Sequence, residues 1–73
     1  MIEYKGYNIP EKKDLKEKGV VVSLGGNLTV KISDDRLFDT GIEPAKVANM
    51  SDNEFNALVY SRATGYIDAI TMN

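Results

Sequence analysis

The chain has 73 residues, is 42% apolar and 27% charged, and carries a net charge of −2. It contains neither cysteine nor histidine, which removes disulfides, thiolate zinc sites and the commonest general base and metal ligand. The length and composition are those of one folded domain spanning 1–73, with a core too small to be very stable by itself. No cofactor or metal is expected, and the reading is non-enzymatic. Serine, threonine, lysine, tyrosine and carboxylates remain as reactive groups, and no two of them form a recognisable nucleophile–base pair. No signal-peptide pattern or transmembrane run is present, so a cytoplasmic location and no membrane partner are expected. The charge is uneven. Residues 1–32 are net +2 and residues 33–73 net −4.

Ile2–Ile9 reads as extended. Ile2 and Tyr4 share one face, Tyr7 and Ile9 the other, and the phase flips at Gly6. That pattern predicts a bulged strand. The alternative is a tight hairpin turning on Lys5-Gly6, with Tyr4 opposite Tyr7. Pro10–Gly19 is the most polar stretch and has Leu15 as its one apolar side chain. It is expected to be a mobile, solvated loop with at most two helical turns. Val20–Ile32 alternates twice, through Val20, Val22 and Leu24 and then Leu28, Val30 and Ile32. To place both sets on one face, Leu24 must sit opposite Leu28 across a three-residue Gly25-Gly26-Asn27 loop. Gly-Gly-Asn lacks the spacing of a phosphate-binding glycine loop, and no helix follows it.

Ser33–Gly41 begins with Ser33-Asp34-Asp35, predicted to be a turn or short helical start, and Leu37 and Phe38 are expected to plug the core. Asp34, Asp35 and Asp39 are three carboxylates in six positions without calcium-loop spacing, so a solvated turn is the preferred reading. Ile42–Met50 places Pro44 at the first position of a short helix that includes Ala45, Val47 and Ala48.

Ser51–Asn73 is the longest periodic segment. Ser51 followed by Glu54 forms a capping box, and Asp52 and Glu54 suit the positive end of the helix dipole. Met50 is placed to staple onto Phe55. At 100° per residue, Phe55, Val59, Ala63, Tyr66 and Ile70 fall on one face, flanked by Leu58 and Ile67. Arg62 lies beside this stripe. It either covers apolar surface with its stem or anchors a partner's carboxylate. Ala57, Ser61, Gly65 and Ala69 recur every fourth residue and make a ridge with little side-chain bulk. Gly65 costs about 0.5–1 kcal/mol relative to alanine inside a helix. The ridge is read either as packed against the chain's own sheet or short helix, or as a contact with another subunit or a foreign protein.

The opening residues Ile2, Tyr4, Lys5, Gly6, Tyr7 and Ile9 carry one resemblance. Here the chain is similar to small uncharacterised phage and mobile-element proteins that begin with a Tyr-Lys-Gly-Tyr-like strand. The likeness covers that strand alone, and the polar insert Glu11–Lys18 departs from it. Some such proteins dock on a host enzyme, so the resemblance implies a host protein as partner.

The expected fold is α+β: a three-stranded antiparallel sheet packed on one long C-terminal helix, with a short helix before it. The predicted core is Ile2, Tyr4, Val20, Val22, Leu24, Leu28, Val30, Ile32, Phe38, Phe55, Leu58, Val59, Tyr66 and Ile70. Three functional expectations follow. The first is a protein-interaction module or inhibitor that binds a protein partner through an acidic surface of Asp34, Asp35, Asp39 and Glu43. The second is a homo-oligomeric structural subunit that assembles through Ala57, Ser61, Gly65 and Ala69 with Arg62. The third, disfavoured by net charge, is nucleic-acid binding through Lys12–Lys18 with Tyr4 and Tyr7.

Overall fold

Ten buried apolar side chains form one cluster: Ile9, Leu28, Val30, Ile32, Phe38, Ile42, Phe55, Val59, Ala63 and Ile67. They come from a computed structural model that describes residues 1–16 and 21–72. The architecture is α+β. Strands β1 (Ile2–Tyr4) and β2 (Tyr7–Ile9) form a two-stranded antiparallel sheet. A single 3-10 turn follows at Lys12–Asp14. Strands β3 (Val21–Val22), β4 (Leu28–Ser33) and β5 (Arg36–Asp39) form a three-stranded antiparallel sheet with β4 in the centre. Helix α1 (Pro44–Val47) leads into helix α2 (Asp52–Thr71).

The N-terminal segment is a hairpin and not the bulged strand preferred on sequence grounds. Tyr4 pairs with Tyr7. Lys5 and Gly6 both have positive φ, 51° and 86°, as a type I′ turn requires at its two central positions. Lysine is an unusual occupant of that region. Its ammonium is held 2.7 Å from Asp68 Oδ1 on α2, so a contact 63 residues away helps fix the turn. Tyr4 Oη donates to the same oxygen at 2.8 Å, and its ring meets Tyr60 edge-on at 6.3 Å. The Lys5 ammonium first, and then the Tyr4 hydroxyl, hold the Asp68 carboxyl below the usual aspartate range.

The polar segment after Pro10 is fastened where it is described. The Lys12 N–H donates to Asn56 Oδ1 at 2.8 Å, and its ammonium donates to the Met50 carbonyl. Leu15 packs against the core. These contacts replace the expected mobile loop through Lys16. The stretch 17–20, including Val20 of the predicted core, lies outside the described residues.

The β3–β4 hairpin keeps the predicted faces but moves its register by two residues. Val22 sits opposite Leu28, the Ser23 N–H reaches the Asn27 carbonyl, and the Gly26 N–H reaches the Ser23 carbonyl. A shift of two preserves sidedness, yet it lengthens the loop and carries Leu24 out to full exposure. Val22 is also exposed. The third strand of the larger sheet is β5, which the sequence pattern does not predict as a strand; the turn expected at Ser33-Asp34-Asp35 forms just before it, at Asp34-Asp35. Phe38 faces the core opposite Val30, while Leu37 stays 49% exposed and does not plug it.

Helix α2 begins as its cap predicts. Ser51 Oγ accepts the Glu54 N–H at 3.1 Å, although the reciprocal Glu54 bond of a full capping box is not formed among the described residues. Phe55, Val59, Ala63 and Ile67, four residues apart, are its buried line. Leu58 and Tyr66 pack beside them. Pro44 occupies the N1 position of α1 as predicted. No helix is long and apolar enough to cross a membrane among the described residues.

Candidate protein-interaction surface

Asp34 and Asp35 are the two turn residues between β4 and β5, and Ser33 pairs with Arg36 across them. Ser33 Oγ donates to Asp35 Oδ1 at 3.2 Å and steadies the turn. An irregularity lies between Lys31 and Ser33. Along β5, Arg36 takes the face of Phe38, opposite to that of Leu37, while itself staying exposed. Arg36 Nη1 then donates to Tyr66 Oη at 3.0 Å, and Tyr66 stacks at a tilt on Phe38 at 5.2 Å. Arg36 is thereby drawn toward α2. Asp34, Asp35, Leu37 and Asp39 are all left exposed.

The far end of β5 is secured by a dense set of main-chain bonds. The Thr40 N–H and Thr40 Oγ1 both donate to the Leu28 carbonyl, at 2.9 and 2.7 Å. The Ile42 N–H donates to Thr40 Oγ1 at 3.1 Å, and the Leu28 N–H reaches the Ile42 carbonyl at 2.7 Å. Asp39 Oδ1 accepts the Gly41 N–H at 2.8 Å. The Arg62 guanidinium closes the set by donating to the Thr40 carbonyl. Thr40 is fully buried, so its polar groups need these partners. Glu43 follows as the residue before α1, exposed, with the Lys46 ammonium 4.0 Å from its carboxylate.

The structure therefore spreads the four predicted acidic residues along one strand. Asp34 and Asp35 lie at its start, Asp39 at its end and Glu43 beyond it. Three residue steps along β5 span about 10 Å, so the carboxylates do not converge. Among the described residues no three such side chains gather where they could hold a metal ion. The apolar centre of the strip, Leu37, was assigned to the core on sequence grounds. Its two-residue offset from both Asp35 and Asp39 was the available signal, legible only once this stretch is read as a strand.

The ridge on α2 has a different setting. Ala57, Ser61, Gly65 and Ala69 are all exposed, and a side chain placed at Gly65 would meet nothing within 4 Å. Neither the sheet nor α1 covers it; Ala45 and Ala48 are themselves exposed. Arg62 does not project from this ridge, because its guanidinium is committed to Thr40. It borders an open cleft of about 250 Å³ shared with Asn27, Glu43, Lys46, Met50 and Leu58. Of the groups named for nucleic-acid binding, Tyr4 bonds to Asp68 and the Lys12 ammonium to the Met50 carbonyl, Lys13 and Lys16 are exposed, and Lys18 lies outside the described residues.

No family model matches the chain, and neither does any curated protein or solved structure.

Proposed function

We propose that this is a non-enzymatic protein-interaction module that binds and modulates a larger protein through the acidic strip along β5. One observation carries the reading: Asp34, Asp35 and Asp39 are exposed at the two ends of β5 and Glu43 just beyond it, with Arg36, itself exposed, bonded to Tyr66 on α2. Four carboxylates against the one guanidinium of Arg36 leave residues 34–43 at net −3. Such a surface steers a basic partner and penalises an acidic one. The half-exposed Leu37 supplies apolar contact in the middle of it. The opening-strand resemblance adds a phage-type context with a host protein as the partner.

The test is charge reversal. Capture of the partner from native extract by the wild-type chain is compared with capture by the triple variant Asp34→Lys, Asp35→Lys, Asp39→Lys. Affinity is expected to fall by at least about tenfold, chiefly through slower association. Asp39→Asn, which keeps an acceptor for the Gly41 N–H, controls for loss of structure. Equal capture by wild type and triple variant would exclude the acidic strip.

A second reading, assembly of identical chains through α2, is favoured by the uncovered ridge. After Glu54 the only charges on α2 are Arg62 and Asp68, and both are engaged by the chain's own Thr40, Tyr4 and Lys5. Under this reading, sedimentation equilibrium shows a homo-oligomer that Gly65→Leu dissociates while the monomer stays folded. An oligomer that survives the substitution excludes the ridge.

A further inference from the structure

Strand β5 is an edge. Among the described residues it pairs with β4 on one side and with no strand on the other. The direction of its free main-chain groups follows from the ladder. The Thr40 N–H points to the Leu28 carbonyl, and partner alternation in an antiparallel pair has a period of two residues. Phe38 therefore turns its N–H and C=O toward Val30, its partner, whereas Leu37 and Asp39 turn theirs away from β4. Among the described residues, no main-chain or side-chain group pairs with these four outward groups. Both residues are exposed.

We infer that β5 accepts an added antiparallel strand from the partner, an extended segment of the pattern basic–x–apolar–x–basic. The inference rests on the acidic-strip reading above and specifies how that strip is used. Main-chain bonds to Leu37 and Asp39 hold the segment, and alternate side chains read the face. A side chain opposite Asp39 meets a carboxylate. One four residues away reaches Asp35 and Asp34 at the turn. The side chain between them lies over Leu37. Lys31 stands across from Leu37 on β4 and is exposed, so a third basic residue at the centre would be repelled and an apolar one is preferred.

Charge also selects against a second copy of the chain on this edge. Two β5 strands paired antiparallel about their centre would bring Asp39 of one close to Asp35 of the other. Like charges facing across a ladder are destabilising. The plainer role for these acids is to keep a bare edge from pairing at all, and the same experiment separates the two.

The experiment follows backbone amide signals of the isotope-labelled chain by NMR during titration with three synthetic peptides. The first is acetyl-Thr-Lys-Thr-Val-Thr-Lys-Thr-amide. The second is the same peptide with N-methyl groups on the valine and both lysines. The third has the same composition with the two lysines adjacent. The first peptide should shift the Asp34–Asp39 resonances and slow exchange of the Leu37 and Asp39 amides. The second and third should each bind at least about tenfold more weakly, the first of these losses reflecting missing main-chain hydrogen bonds. Equal binding of the N-methylated peptide would overturn strand addition while leaving the acidic strip in place. No shift with any peptide would also overturn it and leave the acids as edge guards. Protection of Leu37 and Asp39 that grows with protein concentration alone would put a second copy on the edge, against the proposal. The charge-reversal capture decides the broader reading independently of all three outcomes.

Discussion

Phe55→Ala is expected to abolish most of the stability of the fold. Phe55 is wholly buried at the head of the buried line of α2, with Val59, Ala63 and Ile67 behind it. Truncating a core phenylalanine costs about 3–5 kcal/mol, through lost transfer energy and the cavity left behind. A domain of 73 residues has about 4–11 kcal/mol in total at typical per-residue values. The cavity opens within the buried cluster, against which Met50 packs only at the margin. Thermal unfolding followed by circular dichroism should show a midpoint lowered by more than about 12 °C, since each kcal/mol moves a domain of this size by roughly 4–8 °C. A midpoint within a few degrees of wild type would show that the α2–sheet contact does not hold the fold.

Gly41→Ala is expected to be the most damaging single-methyl change on the surface. Gly41 is exposed but has φ of 71°, a region in which a Cβ costs about 1–2 kcal/mol. The added carbon would also stand 2.9 Å from Arg62 Nη1. That guanidinium is the tip of a flexible side chain, yet it is the donor that satisfies the Thr40 carbonyl. Moving it aside leaves a main-chain acceptor beside a buried residue without its partner, a further cost of about 1 kcal/mol. The expected total is about 2–3 kcal/mol. A double-mutant cycle with Arg62→Ala divides it. In the Arg62→Ala background the steric part disappears, and Gly41→Ala should cost only the backbone part. Identical costs in both backgrounds would show that Arg62 is not locked over Gly41. Because Asp39 caps the Gly41 N–H, this substitution should also loosen the end of the acidic strip.

Arg62 shows how far a local pattern reaches. Its place beside the buried stripe was legible from helical spacing, and both readings weighed for it looked outward, to water or to a partner. Its actual acceptor is a carbonyl 22 residues earlier, which becomes available only because Thr40 is buried by the return of the chain onto Leu28. Leu37 shows the same limit. Between Asp35 and Asp39 it has the spacing of a strand face, but two aspartates and a threonine nearby also fit a turn. The open side of β4 is what makes the segment a strand.

The sequence by itself determined the elements whose cause is local. Helix α2 follows from the Ser51 cap and the four-residue recurrence of Phe55, Val59 and Ala63. The start of α1 follows from Pro44, and β4 from the alternation of Leu28, Val30 and Ile32. These depend on neighbours within a few positions, so the α+β class was readable without coordinates. The tertiary structure alone decided the choices between local states of similar energy. The Lys5-Gly6 turn was selected over a bulge with help from Asp68, the hairpin register moved by two without changing faces, and β5 was recruited as an edge. It also decided that the Ala57–Ala69 ridge stays bare. The buried side of α2 is satisfied by the small sheet, and among the described residues neither sheet nor α1 covers the other side.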